Sequence, residues 1–314
     1  MSETIIELAG VRFAYGETPV LEDIDLAVRA GEIYGLVGAD GAGKTTLLRL
    51  AVGQLRPFSG RVRLLGGDPA APELREQLAY MPQGFGLYPD LSVAENLDFF
   101  ADLHGLERAD ADRRITELLA RTGLHGFEGR RAHRLSGGMM QKLALACALV
   151  SAPRAMCLDE PTTGVDPVSR RAFWSLLDGV RAEGVAILYA TANMDEAERC
   201  DRVAFLEAGR FLRTGTPEAL AAVPDALLVS VHGEGARAAR SALRATQGVT
   251  AVLPVGSRLH VWLEAGWTLA AFRAHLASVD EALEVERIHA TLHDAVLREL
   301  TLHRAGEPQW STSS

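Results

Sequence analysis

Gly38-Ala39-Asp40-Gly41-Ala42-Gly43-Lys44-Thr45-Thr46 matches the pattern GxxxxGK[ST] in full. Glycines at this spacing let a loop turn its backbone N–H groups inward around an anion. A helix that follows adds the positive end of its dipole. Lys44 reaches the outer phosphates of a nucleotide, and the Thr45 hydroxyl is a ligand for Mg2+. Farther on, Ala155-Met156-Cys157-Leu158 leads into Asp159-Glu160. Acids at the C-terminal edge of a parallel strand lie beside a phosphate loop in open α/β sheets. Asp159 is then the Mg2+ partner, and Glu160 the base or orienter of an attacking water.

These groups need a scaffold that brings distant stretches together. With 314 residues, 48% of them hydrophobic and 23% charged, the chain has room and ordinary composition for one large domain and a small one. The net charge of −9 argues against a nucleic-acid partner. Cys147, Cys157 and Cys200 form no CxxC pair, and an odd count suits no disulfide framework. Cys147 and Cys157 stand among apolar neighbours and read as core residues of a protein in a reducing cytoplasm. Met1–Leu8 lacks a basic segment followed by an apolar run, so no secretory signal is expected. No apolar stretch approaches the roughly 18 residues of a membrane span; Leu143–Val150 stops at Ser151-Ala152-Pro153. Any membrane-spanning part is therefore expected in another chain. Lys44 and Lys142 are the only lysines, the other basic residues being arginine. A compact ammonium and a planar guanidinium are not interchangeable where a phosphate is enclosed. Lys142 reads as a residue of a solvated helix face.

Ile5–Leu8 and Val11–Phe13 read as early strands with turns at Gly10 and Gly16. Ile33–Val37 is a short apolar strand before the glycine-rich loop, and Thr45–Val52 has helical spacing ending near Gly53. Ser92-Val93-Ala94-Glu95 has the spacing of a capping box and opens a helix to about His104. Arg113–Thr122 is a further helix, so about Leu91–Val150 is an inserted helical subdomain. Strands at Ala155–Leu158 and Val185–Tyr189 flank a crossover helix at Ser169–Arg181, which favours a mainly parallel sheet covered by helices. Past Pro224 the order is strand (Ala226–Val231), helix (Ala236–Ala245), strands (Val249–Pro254 and Arg258–Leu263), helix (Trp267–Ala277) and strand (Leu283–Ile288). That βαββαβ order implies a small α+β, ferredoxin-like domain over 223–314, after a nucleotide domain over 1–222. A last helix at about Leu292–Leu300 precedes a polar tail expected to be disordered.

Leu135-Ser136-Gly137-Gly138-Met139-Met140-Gln141 resembles the signature motif of the ABC ATPases. With it, further motifs fall in family order from Tyr15 to Glu198, about two-thirds of the chain. Tyr15, in Phe13-Ala14-Tyr15-Gly16, resembles the aromatic that stacks on adenine. Gln83, in Tyr80-Met81-Pro82-Gln83, resembles the glutamine that senses Mg2+ and the membrane partner. Asp166, in Gly164-Val165-Asp166-Pro167, resembles the aspartate that crosses the dimer interface. The resemblance implies a P-loop ABC-type nucleotide-binding domain. It implies catalytic roles for Glu160 and Gln83, and a nucleotide site formed by Tyr15, Gly38 to Thr46, Ser136, Gly137, Gly138 and Asp166. Mg2+ is then held by Thr45, Gln83 and Asp159. Ser136 and Gly138 contact the γ-phosphate of ATP held by the opposite subunit, where a hydroxyl, backbone N–H groups and the helix start at Gly137 make a second anion site. Two half-sites that clamp ATP and lose contacts when the γ-phosphate leaves make an ATP-driven motor by differential affinity. The implied partners are separate transmembrane permease subunits and a second copy or a paralogous ATP-binding subunit. The implied location is cytoplasmic, peripheral on the inner face of the membrane.

Two positions depart from the family. Ala192, in Ala190-Thr191-Ala192-Asn193-Met194-Asp195-Glu196-Ala197-Glu198, occupies the place of the usual switch histidine. Alanine can neither bond the γ-phosphate nor hold the water, and one lost positioned donor costs about a hundredfold in rate. Slow hydrolysis is expected, unless Asn193 or a partner residue substitutes. Ala39-Asp40 replaces the common Pro-Asn without touching the lysine, threonine or glycines. Ala39-Asp40, Gly84-Phe85-Gly86-Leu87-Tyr88 and the altered histidine position together resemble ATPase subunits of bacterial drug-exporter-type systems, some of which carry two such halves in one chain. Leu292–Leu297 resembles their closing helix. Other readings stay open: a regulatory or weakly hydrolysing partner, a soluble ABC protein outside transport, or an importer subunit with a regulatory C-terminal domain.

Overall fold

The computed structural model describes residues 3–223 and 226–306. The polar tail expected to be disordered lies outside the described residues from 307 on. The chain divides into two compact units, Met1–Gly215 and Thr216–Ser314.

The first unit runs β1 (Thr4–Tyr15), β2 (Thr18–Arg29), β3 (Ile33–Val37), α1 (Lys44–Ala51), β4 (Ser59–Leu64), α2 (Pro72–Arg75), β5 (Leu78–Met81). The helical stretch follows with α3 (Val93–Leu103), α4 (Arg108–Thr122) and α5 (Gly137–Leu149). Then come β6 (Ala155–Asp159), α6 (Pro167–Ala182), β7 (Ala186–Thr191), α7 (Met194–Ala197), β8 (Arg202–Glu207) and β9 (Arg210–Gly215).

Six strands form one sheet in the order β5-β6-β7-β3-β8-β9, and only the edge strand β9 is antiparallel. Every residue of β3, β6 and β7 is buried, as the continuous apolar runs of a parallel sheet covered on both faces require. A second sheet, β2-β1-β4, is antiparallel and was not foreseen. The two stretches read as separate early strands are one strand, with a register shift between Leu8 and Val11 where Gly10 takes φ +57°. The inward side chains of β1 and β2 join Leu47, Leu48 and Cys157 in one core. The helical subdomain closes a separate core around Leu97, Leu118, Leu143 and Cys147. Its α3 begins in a complete capping box: Ser92 Oγ accepts from Glu95 N, and Glu95 Oε2 accepts from Ser92 N. All three cysteines are buried, and burial pushes each thiol up, which fits core packing rather than reactivity.

The second unit contains α8 (Pro217–Ala221), β10 (Ala226–His232), α9 (Arg240–Ala245), β11 (Val249–Val255), β12 (Arg258–Glu264), α10 (Leu269–Val279), β13 (Glu284–Arg287) and α11 (Leu292–Gly306). Its antiparallel sheet has the order β11-β12-β10-β13, the arrangement of a ferredoxin-like βαββαβ fold. Helix α9 is shorter than its apolar spacing suggests. Gly233 and Gly235 take φ +130° and +97°, and three-residue turns hold the chain until Arg240. One sheet face packs on Leu243, Phe272 and Leu276; Leu228 and Trp262 on the other face meet Leu297 of α11. Helix α8 packs on α11, so the division falls at Gly215 rather than after residue 222. Among the described residues no helix is long and apolar enough to cross a membrane.

Candidate functional site

The parallel pairing decides which residues meet. Val37 lies opposite Thr191, Asp159 opposite Ala190 and Met81 opposite Leu158. The segments after β3, β5, β6 and β7 therefore leave the sheet at one edge. They carry the glycine-rich loop, Gln83, Asp159-Glu160 and Ala192, respectively. Gly38 N donates to Thr191 O at 3.4 Å and Glu160 N to Ala190 O at 3.0 Å, which ties these segments together.

The loop is shaped by its glycines. A Cβ on Gly38 would stand 2.4 Å from the Leu206 carbonyl oxygen, and Gly43 enters α1 with φ +111°. Ala39 and Asp40 are exposed, Ala42 and Thr46 are buried, and Gly41 takes φ +80°. Lys44 is 5% exposed. Its Nζ donates to Gly38 O at 2.8 Å and Ala39 O at 3.1 Å and lies 3.1 Å from Glu160 Oε1. Asp40 is a weaker neighbour at 3.9 Å. The lysine and glutamate proposed from distant stretches are thus an ion pair.

Glu160 holds φ +48°, a region costly for a side chain other than glycine. Its Oε2 accepts from Thr163 Oγ1 at 3.2 Å. Asp159 is 1% exposed, and neither carboxyl oxygen makes a well-formed hydrogen bond. Burial pushes its pKa up, against the pull of the nearby Thr45 hydroxyl; Glu160 adds to the rise, and Lys44 and Arg49 oppose it. A buried carboxyl without partners calls for an explanation, and an ion is one. The oxygen donors of Asp159 and Thr45 suit Mg2+, which binds through one or two carboxylates plus substrate phosphates rather than in an all-protein cage. Among the described residues no group of three His, Cys, Asp or Glu side chains forms such a cage. The residues present fit Mg2+ held jointly with a nucleotide.

Tyr15 ends β1, is 46% exposed and stands edge-on to Phe13 at 4.8 Å. It is therefore not a core tyrosine. Gln83 is exposed, two residues beyond β5.

Ser136, Gly137, Gly138 and Asp166 do not join this cluster within the chain. Among the described residues no hydrogen bond or ion pair links them to the glycine-rich loop. Ser136 caps α5, its Oγ accepting from Met139 N. Asp166 caps α6, accepting at 3.0 Å from Val168 N and Ser169 N; the Ser169 hydroxyl first, and then these backbone bonds, hold its carboxyl below the usual range. Ser136 and Asp166 are both exposed. Gly138 has a packing reason: a Cβ there would stand 2.3 Å from Ser169 Oγ.

Ala192 is exposed, and Asn193 beside it accepts from Asp195 N as the cap of α7. Two buried polar residues escaped the reading of the sequence. Gln141, the last residue of the signature-like stretch, donates to Pro161 O, and Glu196 collects four side chains. Both stood in quoted motifs, but their burial has no signal in residue type.

The sequence profile of the family described as ABC transporter matches residues 21–163. A probable multidrug ABC transporter ATP-binding protein, YbhF of Escherichia coli, is 42% identical over 254 residues. That match takes in 79% of this chain but 44% of the relative, so the chain spans less than half of that protein's length. The Nod factor export ATP-binding protein I of Cupriavidus pinatubonensis is 41% identical over 69% of this chain and 67% of its own. Among solved structures, an ATP-binding subunit of an ABC transporter superposes with TM-score 0.63 at 32% identity, over 69% of this chain and 92% of that one. The cbiO1 protein of Clostridium perfringens, part of the ABC transporter complex cbiONQ, superposes with TM-score 0.65 at 29% identity, over 69% and 90%.

Proposed function

This chain belongs to the ABC transporter family of ATP-binding subunits, and from that premise we propose that it hydrolyses ATP to drive an exporter whose membrane path lies in other chains. The carrying observation is the meeting of Lys44, Glu160 and Asp159 at one sheet edge, with Lys44 Nζ 3.1 Å from Glu160 Oε1. Exporter names among the relatives support the direction of transport.

In this reading Tyr15 stacks on the adenine, and the backbone from Gly38 to Thr46 cradles the phosphates. An entering phosphate competes with the Gly38 and Ala39 carbonyls and Glu160 for Lys44. Released from Lys44, Glu160 is free to accept a proton from the attacking water. Thr45, Asp159 and Gln83 would hold Mg2+, which would supply positive charge to the phosphate oxygens. Ser136, Gly137, Gly138 and Asp166 serve the nucleotide of a second ATP-binding subunit: they stand at two helix starts, Ser136 and Asp166 exposed, and among the described residues no hydrogen bond or ion pair joins them to their own loop. The chain then works on the inner face of the membrane, docked to permease subunits.

A specific observation supports slow turnover. Ala192 carries only a methyl group and offers no hydrogen-bond donor. The test is Glu160→Gln with ATP·Mg2+, followed by light scattering. Accumulated dimer is the expected result; a persistent monomer, even with the membrane subunits added, would overturn shared sites.

A further inference from the structure

Glu160 is held in a left-handed backbone conformation, and such strain persists only where the surroundings over-determine it. The residues that follow it are pinned from two sides. Pro161 O accepts from the buried side chain of Gln141 on α5. Thr162 Oγ1 donates to Glu196 Oε1, and both residues are buried.

The same Glu196 carboxyl reaches the neighbouring strand. Its Oε2 accepts from Thr191 Oγ1 at 2.7 Å and from Tyr189 OH at 3.0 Å. Thr191 in turn accepts from Asn193 N at 2.9 Å, which fixes the backbone on both sides of Ala192. Arg170 Nε lies 3.7 Å from Glu196 Oε1, and Arg170 also donates to Val165 O, beside Asp166. One carboxyl, 3% exposed, thus touches the turn after Glu160, the strand end before Ala192 and the helix that Asp166 caps.

We propose that Glu196 is a positioning residue for hydrolysis, holding the Glu160 turn in register with the Thr191 strand end and with the start of α6. It touches no nucleotide and acts through Glu160. The inference rests on the reading of Glu160 as the group that handles the attacking water. A carboxyl serves here better than an amide because it accepts from three hydroxyls and faces a guanidinium; an amide nitrogen in its place has no lone pair to offer. Displacement of a reacting group by about 1 Å costs on the order of a hundredfold in rate.

The experiment compares full-length wild type, Glu196→Gln and Thr162→Val, each alone and combined with Glu160→Gln. Single-turnover hydrolysis of ATP·Mg2+, KM and ATP affinity are measured for each. Thr162→Val removes one hydroxyl and keeps the test valid should Glu196→Gln fold poorly. Both single variants are expected to lower the rate by about tenfold or more with KM and affinity within about twofold. In the Glu160→Gln background neither should lower the residual rate further, because the two residues act in series. Unchanged rates, affinity falling in step with rate, or a full multiplicative effect on Glu160→Gln would each overturn the role of Glu196. Wild-type turnover in Glu160→Gln alone would instead overturn the premise.

Discussion

Under the proposed function, Ala192 is the residue expected to limit the rate of the site. It closes the loop edge beside the Glu160 turn but carries only a methyl group, and Asn193 is engaged in starting α7. Ala192→His is expected to raise turnover, by up to about a hundredfold if the added imidazole reaches the γ-phosphate. A steady-state ATPase assay checks it; no change would mean that another group already supplies that contact. Lys44 is the opposite case, donating to two loop carbonyls and paired with Glu160. Lys44→Ala should weaken ATP binding at least about tenfold, since a charge-assisted contact is lost; unchanged affinity in a titration would sink the loop assignment. Asp159 gives the pH dependence. Its pKa is raised by burial, so it takes up a proton at a higher pH than an ordinary aspartate. In the proposed function Asp159 is a ligand for Mg2+, and protonation would remove it. The Mg2+-dependent part of ATP affinity should therefore fall on acidification earlier than a normal carboxyl would dictate. The stability sign is the reverse. Between the unfolded and folded pKa values the folded chain binds more protons, so this carboxyl's penalty eases as pH falls through that window.

At the scale of elements, the crossing of α5 and α6 is built on one missing side chain. A Cβ on Gly138 would stand 2.3 Å from Ser169 Oγ and 2.4 Å from its Cβ, whereas at Gly137 the nearest atom is 3.8 Å away. Gly138→Ala should lower stability by about 1–3 kcal/mol, the usual cost of overpacking. Gly137→Ala should be neutral or stabilising, as alanine is the better helix former by about 1 kcal/mol. Thermal melts separate them, and Ser169→Gly should rescue Gly138→Ala. The contrast also marks what the sequence carries. Local chemistry was legible: the Ser92–Glu95 capping box, the strand–loop–helix around Lys44 and the acids closing β6 stand in the structure as read. Contacts between remote residues were not. Nothing in the pattern pairs Gly138 with Ser169, Gln141 with Pro161 or Glu196 with Thr162, because burial of a polar residue depends on what packs over it. The antiparallel β2-β1-β4 sheet was missed for a related reason: β2 mixes acidic and apolar residues, and only pairing with β1 makes it a strand.

At the scale of the whole molecule, each unit has its own core. Every residue assigned to nucleotide or Mg2+ lies before Gly215, among the cores around Leu47 and Leu143. The second unit rests on Val229, Phe272 and Trp262, and α11 is fastened to β12 where His260 Nδ1 meets Asp294 Oδ1 at 2.6 Å. Burial pushes the Asp294 carboxyl up, but His260 and the Thr291 backbone and hydroxyl outweigh it and hold the pKa below normal. A depressed carboxyl stabilises above its unfolded pKa, and that contribution is lost as pH falls through the folded value. A chain ending at Gly215 should then fold alone and keep ATP affinity within about twofold of full length, as a unit with its own core can. This pH-dependent contribution should be absent from the truncated chain, and in the full chain Asp294→Asn should remove it, lowering stability at neutral pH and flattening its loss toward acid. Loss of ATP binding on truncation would show that the second unit is needed to form the nucleotide site, whereas an acid transition that survives truncation would place its origin in the first unit.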